Sequence, residues 1–243
     1  MDGRLSLGRR VLVPYAAAGI ATLAAWLWLA GAASVAPHVH TVEPAAFGLA
    51  VVMWQAMIVA MMAPVVAPWV AAYARLLAPE GGGATARRTA SFAGGYFLVW
   101  LAYSVAAAAL QLALQQLGAL TVGVVARPLA AAVLICAGAA QFLPLKRACL
   151  THCRNPLSYL IARWRNGPPS GLRLGAVHGA YCLGCCWLLM LTGLAMGVMN
   201  LAWMAVLTVI MVIEQTAPGG PWIGRAFGVV LLGWGVARLL APV

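Results

Sequence analysis

Six stretches of the chain, residues 11–33, 47–71, 91–114, 128–144, 175–198 and 201–216, are apolar runs that carry no Asp, Glu, Lys or Arg apart from Glu214. A helix needs roughly 20 predominantly apolar residues to cross the hydrocarbon of a bilayer, and each run approaches or exceeds that length. Residues 222–240 make a seventh candidate. The whole chain is 64% hydrophobic and only 8% charged, whereas soluble domains carry about 25% charged residues. Backbone inside a bilayer must satisfy its own hydrogen bonds, so several spans predict an all-α, polytopic transmembrane helical bundle of six to seven spans. Nothing punctuates the sequence strongly enough to divide it, and residues 1–243 are expected to form a single membrane domain. The first run follows Arg4, Arg9 and Arg10 but is long and lacks a clear small-residue cleavage site, so it reads as a span and not as a signal peptide.

The formal net charge of +11 takes its meaning from this topology. With seven spans and the N-terminus in the cytoplasm, thirteen of the fifteen basic residues fall inside, and only Arg127 and Arg238 fall outside. That asymmetry is the positive-inside bias, and it predicts the orientation. The basic segments can also meet anionic lipid headgroups of the bilayer. Nucleic acid is not an expected partner, because no soluble domain presents the charge. Residues 145–174 read as a basic cytoplasmic loop between spans four and five, while residues 34–46, with His38, His40 and Glu43, read as external.

Chemistry concentrates in VHGAYCLGCCWLLM, residues 177–190. At the helical repeat, His178, Cys182, Cys185 and Cys186 share one face, with Met190 one turn beyond Cys186. A second group, KRACLTHCRNP, supplies Cys149, His152 and Cys153 at the far end of span four. Under the expected topology both groups reach the cytoplasmic boundary, so five cysteines and two histidines stand at one membrane level. A third feature is the stripe Met53, Met57 and Met61 in span two, with Met190, Met196, Met199 and Met204 in spans five and six. Glu214 is the one acid within a span, and ionisable groups there are costly enough to suggest a function. Gln55 and Gln141 read as interhelical hydrogen-bond partners.

Plainer readings stand beside these. Methionine commonly fills irregular apolar space, Cys136 reads as a small hydrophobe, and Glu214 has the alternative of capping a helix end. Permanent disulfides are not expected at a cytoplasmic face. Thiolate and thioether ligands select soft ions, with Cu(I) the natural match, while Cys/His clusters also suit zinc. Methionine is a poor zinc ligand, so the stripe tilts the expectation to copper.

Taken together, Trp54, Met57 and Ala60–Met61–Met62–Ala63–Pro64, then Cys149, Cys153, Arg154 and Pro156, then Cys182–Leu183–Gly184–Cys185–Cys186–Trp187 with Leu189 and Met190, resemble a bacterial family of predicted metal-binding integral membrane proteins. Gly197–Val198–Met199–Asn200–Leu201 with Trp203, Met204 and Glu214 extends the resemblance, which covers residues 47–214. It implies metal binding in a cell inner membrane but no reaction. Where its pattern leads one to expect a lysine after the glutamate, this chain has Gln215, which weakens an ion pair at that place.

The expected metal ligands are therefore Cys149, Cys153, His178, Cys182, Cys185, Cys186, Met57, Met61, Met190, Met199 and Glu214, and the expected metal is copper, with zinc the alternative. The expected function is binding of a soft metal for transport or delivery across the inner membrane, without catalysis. No GxxxxGK[ST] motif is present to power a pump. Two other classes stay open: an accessory subunit of a larger membrane complex or homo-oligomer, and thiol redox chemistry at Cys182 and Cys185. The orientation is testable in a chain whose native cysteines are replaced. Cysteine at Ser34→Cys should react with an impermeant maleimide added outside, and cysteine at Ser170→Cys should not; external labelling at position 170 rejects the topology.

Overall fold

The computed structural model describes residues 2–35, 44–77, 81–121, 124–163, 171–198 and 200–240. Nine helices run through them: α1 (Asp2–Val35), α2 (Pro44–Leu76), α3 (Gly82–Gln116), α4 (Arg127–Ala140), α5 (Pro144–Arg154), α6 (Pro156–Arg163), α7 (Gly171–Met196), α8 (Leu201–Thr216) and α9 (Gly220–Leu240). A two-residue antiparallel pairing, β1 (Leu120–Thr121) with β2 (Val124–Val125), closes the connection from α3 to α4. The fold is an all-α bundle. Five helices are long and apolar enough to cross a membrane, and α4 with α5, bent by 63°, makes a sixth if the pair is one span. Helix α8 is apolar but only 16 residues long.

Helices α2 and α7 form the interior. In an apolar 18-residue stretch of each, 56% of the residues are buried, against 11% for α1, which lies at the periphery. The buried face of α2 carries Trp54, Met57, Ile58, Met61, Met62, Trp69 and Tyr73. Helix α7 crosses α3 with the two backbones in contact: a side chain at Gly175 would collide with the Phe92 carbonyl, and one at Gly95 with that of Leu172. Small residues at such crossings let membrane helices approach closely. Gln55 accepts a hydrogen bond from Ser104 Oγ at 2.9 Å, joining α2 to α3 as expected for an intramembrane amide.

The fourth span departs from the sequence expectation. Its run was expected to continue to residue 144, but α4 stops at Ala140 and Pro144 opens a new helix. Proline lacks an N–H and disfavours the helical region for its predecessor; Leu143 is extended at φ −65° and ψ 139°, and Pro144 begins α5. The segment expected as the basic loop 145–174 is helical at its start. It begins with α5, whose Lys146, Cys149, Leu150 and Cys153 are buried at the i, i+3, i+4, i+7 spacing of one helix face.

Lys146 shows why that helix turns inward. Its ammonium donates to both oxygens of Glu214 on α8, at 2.8 and 2.9 Å, and to Gln141 Oε1. Both side chains of the ion pair are almost wholly buried. Arg154 adds a hydrogen bond to the Glu214 carbonyl at 2.5 Å. Gly224 of α9 leaves the space that the carboxylate fills. A buried charge is tolerated only when paired and hydrogen-bonded. Glu214→Ala is therefore expected to destabilise the protein by about 3–5 kcal/mol by stranding the ammonium. Lys146→Met with Glu214→Leu should recover most of that loss, as measured by unfolding in detergent.

Candidate metal centre

On α7, residues His178, Cys182, Cys185, Cys186 and Met190 are all buried. The face they share meets α3, α5 and α8. Helix α5 lies against α7 where Gly184 has no side chain: a Cβ there would stand 2.9 Å from Cys149 Sγ. The last turn of α5 is anchored by Trp69, whose indole N–H donates to the Cys153 carbonyl at 2.7 Å. Carbonyls at a helix end have no intrahelical donor, so this bond supplies one and fixes Cys153 in place.

The consequence is a group of three thiols. The sulfurs of Cys153, Cys182 and Cys185 all lie within 4.8 Å of one another, and all three residues are buried. Three sulfurs each about 2.3 Å from a shared ion in a trigonal plane would stand about 4.0 Å apart, so closing around an ion needs only small side-chain movement. Cys186 Sγ is 3.2 Å from Cys185 Sγ. Two groups support Cys182: the Tyr96 hydroxyl shares a hydrogen bond with its sulfur at 3.2 Å, and Gln215 Nε2 donates to it at 3.8 Å. Partners of this kind orient a ligand before it meets a metal. The group holds no carboxylate, so its donor set is soft throughout.

His178 precedes Cys182 by one turn but stands outside the three-sulfur group. It is fully buried in a column of rings, stacked on Trp69 with centroids 3.9 Å apart and facing Tyr96 at 5.5 Å. Neither ring nitrogen has a hydrogen-bond partner among the described residues. His152 lies 5.9 Å from it and stacks on Tyr181 at 3.8 Å.

The other expected ligands are placed as follows. Met57, Met61 and Met190 are buried in the core, and Met199 lies outside the described residues, as do His38, His40 and Glu43. The Glu214 carboxylate is engaged by Lys146 and not by the thiol group. Cys136 is exposed. Three residues that position the site had no role at it in the sequence reading: Lys146, Trp69 and Tyr96. Lys146 carries a signal in retrospect, because it precedes Cys149 and Cys153 by three and seven residues and so shares their face. The ring residues carry none, since nothing in their spacing connects α2 or α3 to α7.

The geometry predicts thiol reactivity. In metal-free protein in detergent, a small maleimide should modify Cys136, leaving the five buried cysteines unmodified until the protein is unfolded. Mass spectrometry counts the adducts, and rapid labelling of Cys182 or Cys185 in the folded state contradicts this packing.

A family model described as PpoB2, copper chaperone, matches residues 51–238. The match runs from the first turns of α2 into the end of α9 and takes in all six cysteines. No curated protein and no solved structure matches the chain.

Proposed function

The chain belongs to the PpoB2 copper chaperone family, and from that premise we propose that it carries Cu(I) as cargo on Cys153, Cys182 and Cys185 and delivers it within a bacterial inner membrane. The observation that supports this reading most directly is the approach of three sulfurs, from two helices, to within 4.8 Å in the core of an apolar bundle. Soft thiolates select Cu(I) over hard cations that prefer oxygen. Delivery also requires that the ion be released. Cys186, 3.2 Å from Cys185, and Cys149, beside Gly184, offer further thiols through which an ion can change partners without leaving sulfur. His178, buried and without a hydrogen-bond partner among the described residues, is a candidate nitrogen ligand one turn away.

The ion is substrate and not a resident cofactor, and the role is binding and transfer without catalysis. The basic segments, in the proposed orientation, place the thiol end of the bundle at the cytoplasmic side. The recipient is then a copper protein or complex in the same membrane.

Titration with Cu(I) against a chromophoric chelator tests this reading. The wild-type protein should take up one tightly held equivalent, with sulfur neighbours near 2.3 Å by X-ray absorption. The Cys153→Ser/Cys182→Ser/Cys185→Ser variant should lose that tight equivalent. Unchanged affinity in the variant overturns the assignment of the site. Tight retention of zinc with no competition from Cu(I) overturns the assignment of the metal.

A further inference from the structure

We propose that the bundle holds a second Cu(I) site, made of thioethers alone, where Met57 and Met61 of α2, Met190 of α7 and Met204 of α8 line one small cavity. The cavity has a volume of about 10 Å³ and is walled also by Trp54 and Trp203. The four methionines come from three helices, and none is more than 4% exposed. A space of this size admits a single water-sized sphere.

What surrounds the space decides what can occupy it. A buried water needs two to four polar partners. Here the polar groups of the wall are turned to others: Trp54 donates to Gln111 Oε1 at 2.8 Å, and Trp203 donates to Thr192 Oγ1 at 2.8 Å. The Asn200 side chain donates to the Met196 carbonyl and accepts from the Trp203 backbone N–H, both at 3.0 Å. The methionine sulfurs are the donors left over. Methionine as mere filler should close such a gap, since its flexible side chain adapts to irregular spaces. Instead, four of them surround a void of one ion's size.

The chemistry of the wall sets the ligand class. A thioether is uncharged, so four of them rest in an apolar core without the cost of burying ionised ligands. They are soft donors and suit Cu(I), while zinc and the hard divalent ions prefer nitrogen, thiolate or oxygen. No charge at the site neutralises the ion, so binding is weaker than at the thiols. That weakness suits an ion in passage. Met190 follows Cys186 by four residues and Cys182 by eight on the same helix, which at 1.5 Å per residue separates the two sites by about 6–12 Å along α7. The thioether site therefore lies along a shared helix from the thiols, as a holding point from which an ion moves toward stronger ligands.

The inference rests on the copper reading only for the identity of the ion, and its test separates the two. The full-length Cys153→Ser/Cys182→Ser/Cys185→Ser variant, labelled with selenomethionine, is loaded with Cu(I) in detergent. One equivalent should remain, held at least tenfold more weakly than in the wild type, and absorption at the selenium edge should show a copper neighbour. Adding Met57→Leu/Met190→Leu, which conserves volume, should abolish both signals without changing the unfolding temperature. The same two leucines in the otherwise native chain should leave the tight thiol equivalent intact. No residual Cu(I) in the triple-serine variant, no copper–selenium neighbour, or binding that survives the leucines overturns the site. Residual copper on methionine alongside a wild-type protein with no tight equivalent would sink the thiol reading and leave this one standing.

Discussion

The ammonium of Lys146 and the carboxylate of Glu214 meet in the core almost wholly buried, and the position of α5 depends on them. The pair is costly to assemble, because each charge surrenders its hydration, and the attraction between them repays that loss only with good geometry. Here the geometry is good: both carboxylate oxygens accept from the ammonium, and Gln141 takes a further bond from it. The same contact that neutralises Lys146 draws the first turn of α5 into the bundle. Cys149 and Cys153 lie on the same face, so they follow. Without the pair, a helix with this much positive charge has little reason to enter an apolar interior.

The opposite half of the thiol group is placed by a different force. Helix α7 lies against α3 through glycines, with no side chain between the backbones. That proximity sets His178 and Cys182 into the layer of Phe92 and Tyr96, so that aromatic rings, the Tyr96 hydroxyl and the Gln215 amide stand near the thiols. Van der Waals contact across a small-residue crossing and a buried ion pair thus converge on one point from two sides. Trp69 connects them, stacking on His178 of α7 while donating to the carbonyl of Cys153 on α5.

The apolar runs made the bundle legible, and the helical spacing of His178, Cys182, Cys185 and Cys186 made one face of α7 legible, because both depend on local pattern. The meeting of that face with Cys153 was inferred only from shared depth; it depends on which helices are neighbours, which no local pattern encodes. Pro144 was visible, but its effect was not: a proline can end an apolar run at a loop or start a buried helix, and the choice here rests on a glutamate 68 residues beyond Lys146. Lys146 was counted among solvated loop charges for the same reason. A lone lysine beside an arginine looks like a surface until its partner is known. Gln215, where a lysine was expected, shows the exchange from the other side, since the cation that pairs with Glu214 comes from α5.

Charge accounting limits how the thiols can hold a monovalent ion. Three thiolates around Cu(I) would leave two negative charges in the core, and the ion pair, being neutral overall, offsets neither. Burial of net charge is costly enough that a site of this kind sheds protons only as far as the metal demands. Two thiolates on Cu(I) leave a single negative charge, spread over two sulfurs and softened by the hydrogen-bonding groups beside Cys182. The third thiol can then stay protonated as an incoming ligand, bonding as one of the first two leaves. More cysteines than one copper ion needs at any instant, set within reach of one another and away from water, are what transfer by ligand exchange requires; a site built for permanent retention would have saturated the ion and closed around it.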